Sequence, residues 1–362
     1  MSAAPLFECE TIIFGKGIGE SIIIRLSENE WMIIDSCLND NKNPAALDYL
    51  KSRGADIEND VKLIMISHFH DDHIKGLSQI IEQCKSSLVV ISAALNTAEF
   101  KEYISALSAN GQEMAKTKEI DKIMNLLPEL ARSDRIRYAK RDCLLFRSST
   151  DIEVHALSPC DIDITRSNLD FANSLKTASN FKEIASSASI VNPNHYCVVT
   201  RINSSTSSNN EILLGADLEV SGATGWEAVC NALNSPKNRK TGLFKLPHHG
   251  SQTGFHQRTW DELIKEKPVT VLTTYSRSNL PRDEMIQVYK DLSSQLYCAS
   301  DPYKKPDKKK ERSNISEAAD LLKKMGSTVK FANNNSQFGY ISFKKCLSPN
   351  LSVQPFLAAK IL

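Results

Sequence analysis

Residues 61–77 read Val-Lys-Leu-Ile-Met-Ile-Ser-His-Phe-His-Asp-Asp-His-Ile-Lys-Gly-Leu. An apolar run from Val61 to Ile66 stops at a stretch that holds His68, His70, Asp72 and His73. The run is short and rich in aliphatic side chains, which reads as a strand buried on both faces and followed by a loop. Imidazoles and a carboxylate beside a core are costly unless they share a task, and holding a metal cation is the usual one. In an extended loop His68 and His70 project the same way, because side chains alternate in direction, so they can grip one cation. Asp72 and His73 follow one turn later and can grip a second.

The surrounding chain has the rhythm of an α/β layered domain. Strands are expected at Glu10–Phe14, Ser21–Leu26 and Trp31–Ile34, a helix at Pro44–Arg53, the strand above, a helix at Ile74–Cys84 and a strand at Leu88–Ser92. Charged helical spacing at Thr97–Leu107 and Met114–Leu130 suggests a helical insertion over about 97–135. Residues 161–190, rich in Asn, Ser, Thr and Ala, read as a flexible polar region. Strands resume at His195–Ile202, Glu211–Leu214, Leu243–Leu246 and Val269–Thr273, with helices at Gly222–Leu233 and Asp283–Ser293. Residues 1–345 are read as one domain and 346–362 as a tail.

Ionisable groups recur at strand ends: Asp35, the His68–His73 cluster, Asp217 and the pair His248/His249, with His195 at an expected strand start. Asp35 caps a turn or joins a site at that sheet edge. Asp217, with two oxygens, can bridge two cations. Two such cations would share a water and lower its pKa to about 7. An all-nitrogen-and-oxygen donor set suits zinc, and Mn2+ and Fe2+ fit the same donors.

This pattern resembles the metallo-β-lactamase superfamily: His-x-His-x-Asp-His at 68–73, the acid at Asp35, Gly-x-Asp at Gly215–Asp217 and a late histidine at 248–249. Leu-Pro-His-His-Gly-Ser at 246–251 looks like the branch that includes the soluble domain of the competence protein ComEC and phosphorylcholine esterase. The resemblance implies an αββα sandwich of the α/β class, a dinuclear zinc site and hydrolysis by a metal-bound hydroxide. Carried over, His68 and His70 hold the first metal, Asp72 and His73 the second, and Asp217 bridges. His249 completes the second metal, and His248 is a phosphate contact or proton donor. Asp72 also orients the nucleophile, and Asp35 holds a ligand imidazole through its ring N–H. The family's third-motif histidine has no direct counterpart: His195 or Asn194 would supply that ligand, or the first metal would be held more loosely. Where the branch carries a further histidine element, this chain has Tyr275–Arg282, in which Arg277 and Arg282 can contact an anion. Ser251 is a further substrate-side candidate.

The substrate class implied is a phosphodiester, in nucleic acid or a nucleotide. A carboxylic ester, lactone or amide on the same metals is the alternative, and a catalytically weak interaction or sensing component of a multi-protein system is a third. The sequence leaves open assembly with a second copy or a partner protein. A net charge of +1 over 362 residues gives no global basicity, so a polyanion needs a local patch. Lys304–Arg312 is basic and reads as a solvated loop, or as a steering patch if it lies near the site. The nine cysteines form no Cys-x-x-Cys pair and read as reduced, mostly buried thiols. With no signal-like start and no long apolar stretch, a cytoplasmic protein without membrane contact is expected. Lys16–Gly19 reads as turn chemistry, Cys197 as core, and His155 and His256 carry no assigned role.

Overall fold

The computed structural model describes residues 8–96, 117–176, 193–204, 210–232, 240–303 and 336–362. β1 (Glu10–Gly15), β2 (Glu20–Ser27) and β3 (Glu30–Ile34) form an antiparallel meander. α1 (Ala45–Ser52) then crosses to β4 (Val61–Met65), parallel to β3. α2 (Asp71–Ile74) and α3 (Leu77–Gln83) lead to β5 (Leu88–Ser92), and α4 (Thr117–Arg132) precedes β6 (Ile136–Ala139), both strands again parallel to their neighbours.

The second half contains β7 (Cys143–Arg147), β8 (Ile152–Ala156), α5 (Asp161–Lys176), β9 (Thr200–Ser204) and β10 (Glu211–Leu214). A ribbon of β11 (Val220–Ser221) and β12 (Thr224–Gly225) leads into α6 (Trp226–Ala232). β13 (Thr241–Lys245), α7 (Gln257–Leu263), β14 (Ile264–Leu272), α8 (Asp283–Leu292) and β15 (Gln295–Cys298) follow as parallel strands with crossover helices. β16 (Gly339–Lys344) pairs with β1, β17 (Ser352–Leu357) with β16, and β18 (Lys360–Ile361) with β15.

Among the described residues this gives two eight-stranded sheets, in the orders β17-β16-β1-β2-β3-β4-β5-β6 and β18-β15-β14-β13-β10-β9-β8-β7. Strand alternation sorts the side chains into layers. Ile22 and Ile24 face the second sheet, in one cluster with Leu214, Leu243, Val271 and Ile341. Ile23 points the other way, toward Leu47 and Leu50 of α1 and Ile80 of α3. On the far side Leu213, Phe244 and Leu272 pack with Trp226, Trp260 and Tyr289 of α6, α7 and α8. The order is helix–sheet–sheet–helix, the expected αββα sandwich. Each fully buried Ile or Leu contributes about 1.5–3 kcal/mol of transfer free energy, which is what drives the two sheets together.

Several expectations change. The segment beginning at 161 is helical as far as Lys176, not a flexible region. Its inward stripe is Asp163, Ser167 and Phe171, so two of the three buried positions are polar and the apolar signal is weak. Asp163 accepts the backbone N–H groups of Cys160 and Gly225, each at 2.8 Å, which anchors the helix start. The expected Ile74–Cys84 helix is broken at Gly76, which adopts φ +79° and separates α2 from α3. His195 lies in a 3-10 turn, Pro193–Tyr196, and not at a strand start. The tail, residues 346–362, packs: β17 and β18 add an edge strand to each sheet. The rest of the expected insertion (97–116), residues 177–192 and Lys304–Arg312 lie outside the described residues. No helix among the described residues is long and apolar enough to cross a membrane. All nine cysteines are free, and all but Cys143 are buried.

Candidate metal centre

β3 and β4 of the first sheet, and β10, β13 and β14 of the second, deliver their carboxyl ends to one rim. That is where open α/β sheets place ligands. Asp35 follows β3, the His68–His73 loop follows β4, Asp217 follows β10, and His248/His249 follow β13. Three of these turns use left-handed backbone at non-glycine residues: Asp35 (φ 56°), Ala216 (φ 44°), and His248 (φ 46°) with His249 (φ 53°). Such backbone costs about 1–3 kcal/mol per residue and persists where surrounding structure enforces it, typically at functional sites. Gly215 is required for a steric reason: a Cβ there would sit 3.0 Å from the Lys245 carbonyl and from Pro247.

Asp72, His73, Asp217 and His249 each present one donor atom, all within 4.8 Å of one another, and His68, His70 and Asp217 form a second such group. Asp217 belongs to both. His73 Nε2 lies 3.5 Å from Asp72 Oδ2 and 3.4 Å from Asp217 Oδ1. His249 Nε2 lies 3.1 Å from Asp72 Oδ2 and 3.5 Å from Asp217 Oδ2. Donors about 2.0–2.1 Å from a tetrahedral zinc stand roughly 3.3 Å apart, so this set has the right size. In the other group His68 Nε2 approaches His70 Nδ1 at 3.0 Å and Asp217 Oδ2 at 3.9 Å.

The far side of each imidazole fixes which nitrogen carries the proton. His73 Nδ1 donates to Asp35 Oδ2 at 2.7 Å. His68 Nδ1 donates to Ser67 Oγ at 2.9 Å, because that hydroxyl spends its own proton on Asp35 Oδ2 at 2.6 Å. Both rings therefore turn Nε2 toward carboxylates. Among the described residues, His73 Nε2 and Asp217 Oδ1 are buried without a hydrogen-bond partner. Buried polar atoms are rarely orphaned, and carboxylates crowded together here call for positive charge between them, which a metal ion supplies. The donor set thus fits divalent metal ions. A third cluster, Glu20, Asp35 and His73, does not need one: Lys245, Thr273 and Ser67 already donate into it.

The electrostatics agree. Burial, reinforced by neighbouring imidazoles, drives the His68 pKa well down, and burial also lowers that of His70. For Asp217 burial alone would raise the pKa, but His249, His73 and His68 pull it well below the carboxylate range. Asp72 is likewise lowered against its burial by His73 and His249. Neutral His68 and His70 and ionised carboxylates are the protonation states that metal ligands need, whereas His73, raised by Asp217, Asp72 and Asp35 against its burial, holds a proton that a metal must displace.

Residues 14–137 match the family model of the metallo-beta-lactamase superfamily. Over that segment, which runs from β1 into β6 and carries the His68–His73 loop, the chain is similar to the metallo-β-lactamase superfamily. Solved structures similar to it include the fold protein YhfI from Bacillus subtilis, at 12% identity and TM-score 0.39, covering 80% of this chain and 95% of that one. The subclass B3 metallo-beta-lactamase MEM-A1, from a soil metagenome library, is 13% identical with TM-score 0.37, covering 78% and 89%. The dizinc quorum-quenching lactonase AidC is 15% identical with TM-score 0.29, covering 54% and 55%. No curated protein matches the chain.

In space His68, His70, Asp72, His73, Asp217 and His249 converge, and Asp35 sits behind His68 and His73. His195 does not join them: it belongs to neither donor group among the described residues. The 3-10 turn sets its ring in the field of Glu219, Arg166 and Asp170 instead, where burial lowers its pKa. His248 Nδ1 lies 2.6 Å from Glu219 Oε1, which fixes its ring and leaves Nε2 without a protein partner among the described residues. Burial opposes its protonation, but Glu219 and Asp217 outweigh that and raise its pKa. Ser251 is not open to a substrate; it is buried and its hydroxyl accepts from Gly254 N at 3.1 Å while meeting His248 Nδ1 at 2.9 Å. Arg277 and Arg282 are exposed.

Sequence reasoning missed Glu20, Ser67, Glu219, Lys245, Thr273 and Tyr275. The Tyr275 ring stacks on His249 at 5.3 Å and 18°, with Arg277 beside its hydroxyl. Lys245 carried the one available signal, a charge inside the apolar strand Leu243–Leu246. The Lys16–Gly19 turn also borders the site: a Cβ at Gly19 would lie 2.9 Å from Cys37 Cβ and 3.6 Å from the Asp72 carbonyl oxygen.

Proposed function

We propose that the protein is a metal-dependent hydrolase acting on a phosphodiester, in nucleic acid or a nucleotide. The observation that carries this reading is the place of Asp217 in both donor groups, which makes one carboxylate common to two cation positions. His68, His70 and Asp217 would hold one ion, and Asp72, His73, Asp217 and His249 the other, with zinc the best fit and Mn2+ or Fe2+ compatible. When bound, such a pair supplies Lewis acidity at the scissile group and an acidified water as nucleophile.

The chain's own residues supply the rest. Asp35 and Ser67 hold the His68 and His73 rings in register. Asp72 orients the nucleophile. His248, fixed by Glu219, presents Nε2 to the leaving group as a proton donor. Exposed Arg277, beside the Tyr275 ring that stacks on His249, offers a forked donor near the centre, and Arg282 at the start of α8 a second on the same loop, which suits an anionic ester better than a neutral lactone. The Leu-Pro-His-His-Gly-Ser wording supports the ComEC-like branch. Nine free thiols fit a reducing compartment such as the cytoplasm.

A panel of substrates tests the reading. Zinc-loaded protein should cleave bis(p-nitrophenyl) phosphate and a dinucleotide. Cleavage of a lactone or thioester, with every phosphodiester intact, would overturn it.

A further inference from the structure

Behind the centre lies a second buried carboxylate that the site just described does not use. Glu20, on β2 of the first sheet, is 1% exposed, and Lys245, at the end of β13 in the second sheet, is 0% exposed. Lys245 Nζ lies 2.7 Å from Glu20 Oε2 and donates to the Ala216 carbonyl at 3.0 Å. Thr273, just past β14, donates its hydroxyl proton to Glu20 Oε2 at 2.6 Å. That hydroxyl must then accept from His249 Nδ1, 2.9 Å away. The arrangement repeats the one on the other side, where the Ser67 hydroxyl accepts from His68 Nδ1 and donates its own proton to Asp35.

Resting on the metal-centre reading, we infer that Glu20, Thr273 and Lys245 act together as a positioning unit for the His249–Asp217 half of the centre. Thr273 and Glu20 keep the His249 proton on Nδ1, so that Nε2 faces Asp72 and Asp217. Lys245 pairs with Glu20 and, through the Ala216 carbonyl, holds the left-handed turn that aims Asp217. One ammonium thus braces a ligand imidazole and a shared carboxylate on two different loops.

A purely structural bond between the sheets is the rival account. It is weakened by the cost of the pair: two buried charges rarely outperform an apolar pair of the same volume. It is weakened further by its location, in direct hydrogen-bond contact with both ligand-bearing turns.

The test uses the full chain, stripped of metal and titrated with zinc against a chromophoric chelator, as wild type, Thr273→Val and Thr273→Ser. Valine keeps the shape and removes the hydroxyl. Expected is a ~10–100-fold loss of affinity at one of two zinc sites in Thr273→Val, the usual effect of losing a partner behind a ligand. Thr273→Ser should restore it, and the cobalt-loaded absorption spectrum should change only in the valine variant. Unchanged zinc affinity and cobalt spectrum in folded Thr273→Val would overturn the inference alone. A wild-type protein that takes up no zinc would overturn the metal-centre reading and this inference with it. Zinc loss in Thr273→Val without phosphodiester cleavage by the wild type would uphold the positioning unit and leave only the substrate reading in error.

Discussion

Asp35 Oδ2 accepts the His73 Nδ1 proton at 2.7 Å, and both side chains are sealed from solvent. The same oxygen takes the Ser67 hydroxyl, so one carboxylate orients two imidazoles. Asp35→Ala should therefore lower metal affinity by ~10–100-fold while leaving the ligands themselves in place. Zinc competition measures it, and wild-type affinity in a folded variant would remove Asp35 from the centre.

The Lys245–Glu20 pair makes a stability prediction. Lys245→Met leaves Glu20 buried without its ammonium and should cost about 3–5 kcal/mol. Adding Glu20→Gln should recover part of that loss, because the orphaned charge is then gone. Urea denaturation of the two single variants and the double variant reads the coupling. Strict additivity would contradict the pair.

Metal binding should release protons. Burial works against a charged His73 in the metal-free protein, but Asp217, Asp72 and Asp35 outweigh it and raise its pKa well above the ordinary imidazole value. That bound proton stabilises the metal-free fold fully below the unfolded value of about 6.5, and the contribution fades as pH rises through the raised folded value. A cation must displace it. Calorimetric zinc titrations near neutral pH, run in buffers of different ionisation enthalpy, should give different heats. Buffer-independent heats would contradict the account.

The thiols should be inert in the folded protein. Burial pushes Cys37, Cys84 and Cys298 up to about 12, and thiolate is the reactive form. Brief treatment with an alkylating reagent should label Cys143 at most, as read by mass spectrometry of the intact chain. Labelling of two or more sites under native conditions would show that the core opens readily.

Much of this was legible in the sequence because it lay at strand ends. The run Val61–Ile66 announced a buried strand, and the donors that follow it could only project from its carboxyl end. Asp217 and His249 were readable for the same reason. His195 misled because a histidine before the apolar Val198–Val199 looks like a strand start, whereas Pro193 begins a 3-10 turn. α5 was hidden because its buried stripe carries Asp163 and Ser167. The partners behind the ligands were the least visible. Glu20, Thr273 and Lys245 come from three separate strands, and only the packing of one sheet on the other brings them within hydrogen-bond reach. β17 and β18 were masked by their half-exposed, edge-strand composition.

The central claim is a centre for two cations that share Asp217. Elemental analysis of protein purified without chelator, compared with Asp217→Asn, tests it most directly. The account predicts close to two equivalents of divalent metal per wild-type chain and a clear loss from the variant. No bound metal in a folded wild-type protein, or equal metal content in both, would contradict it.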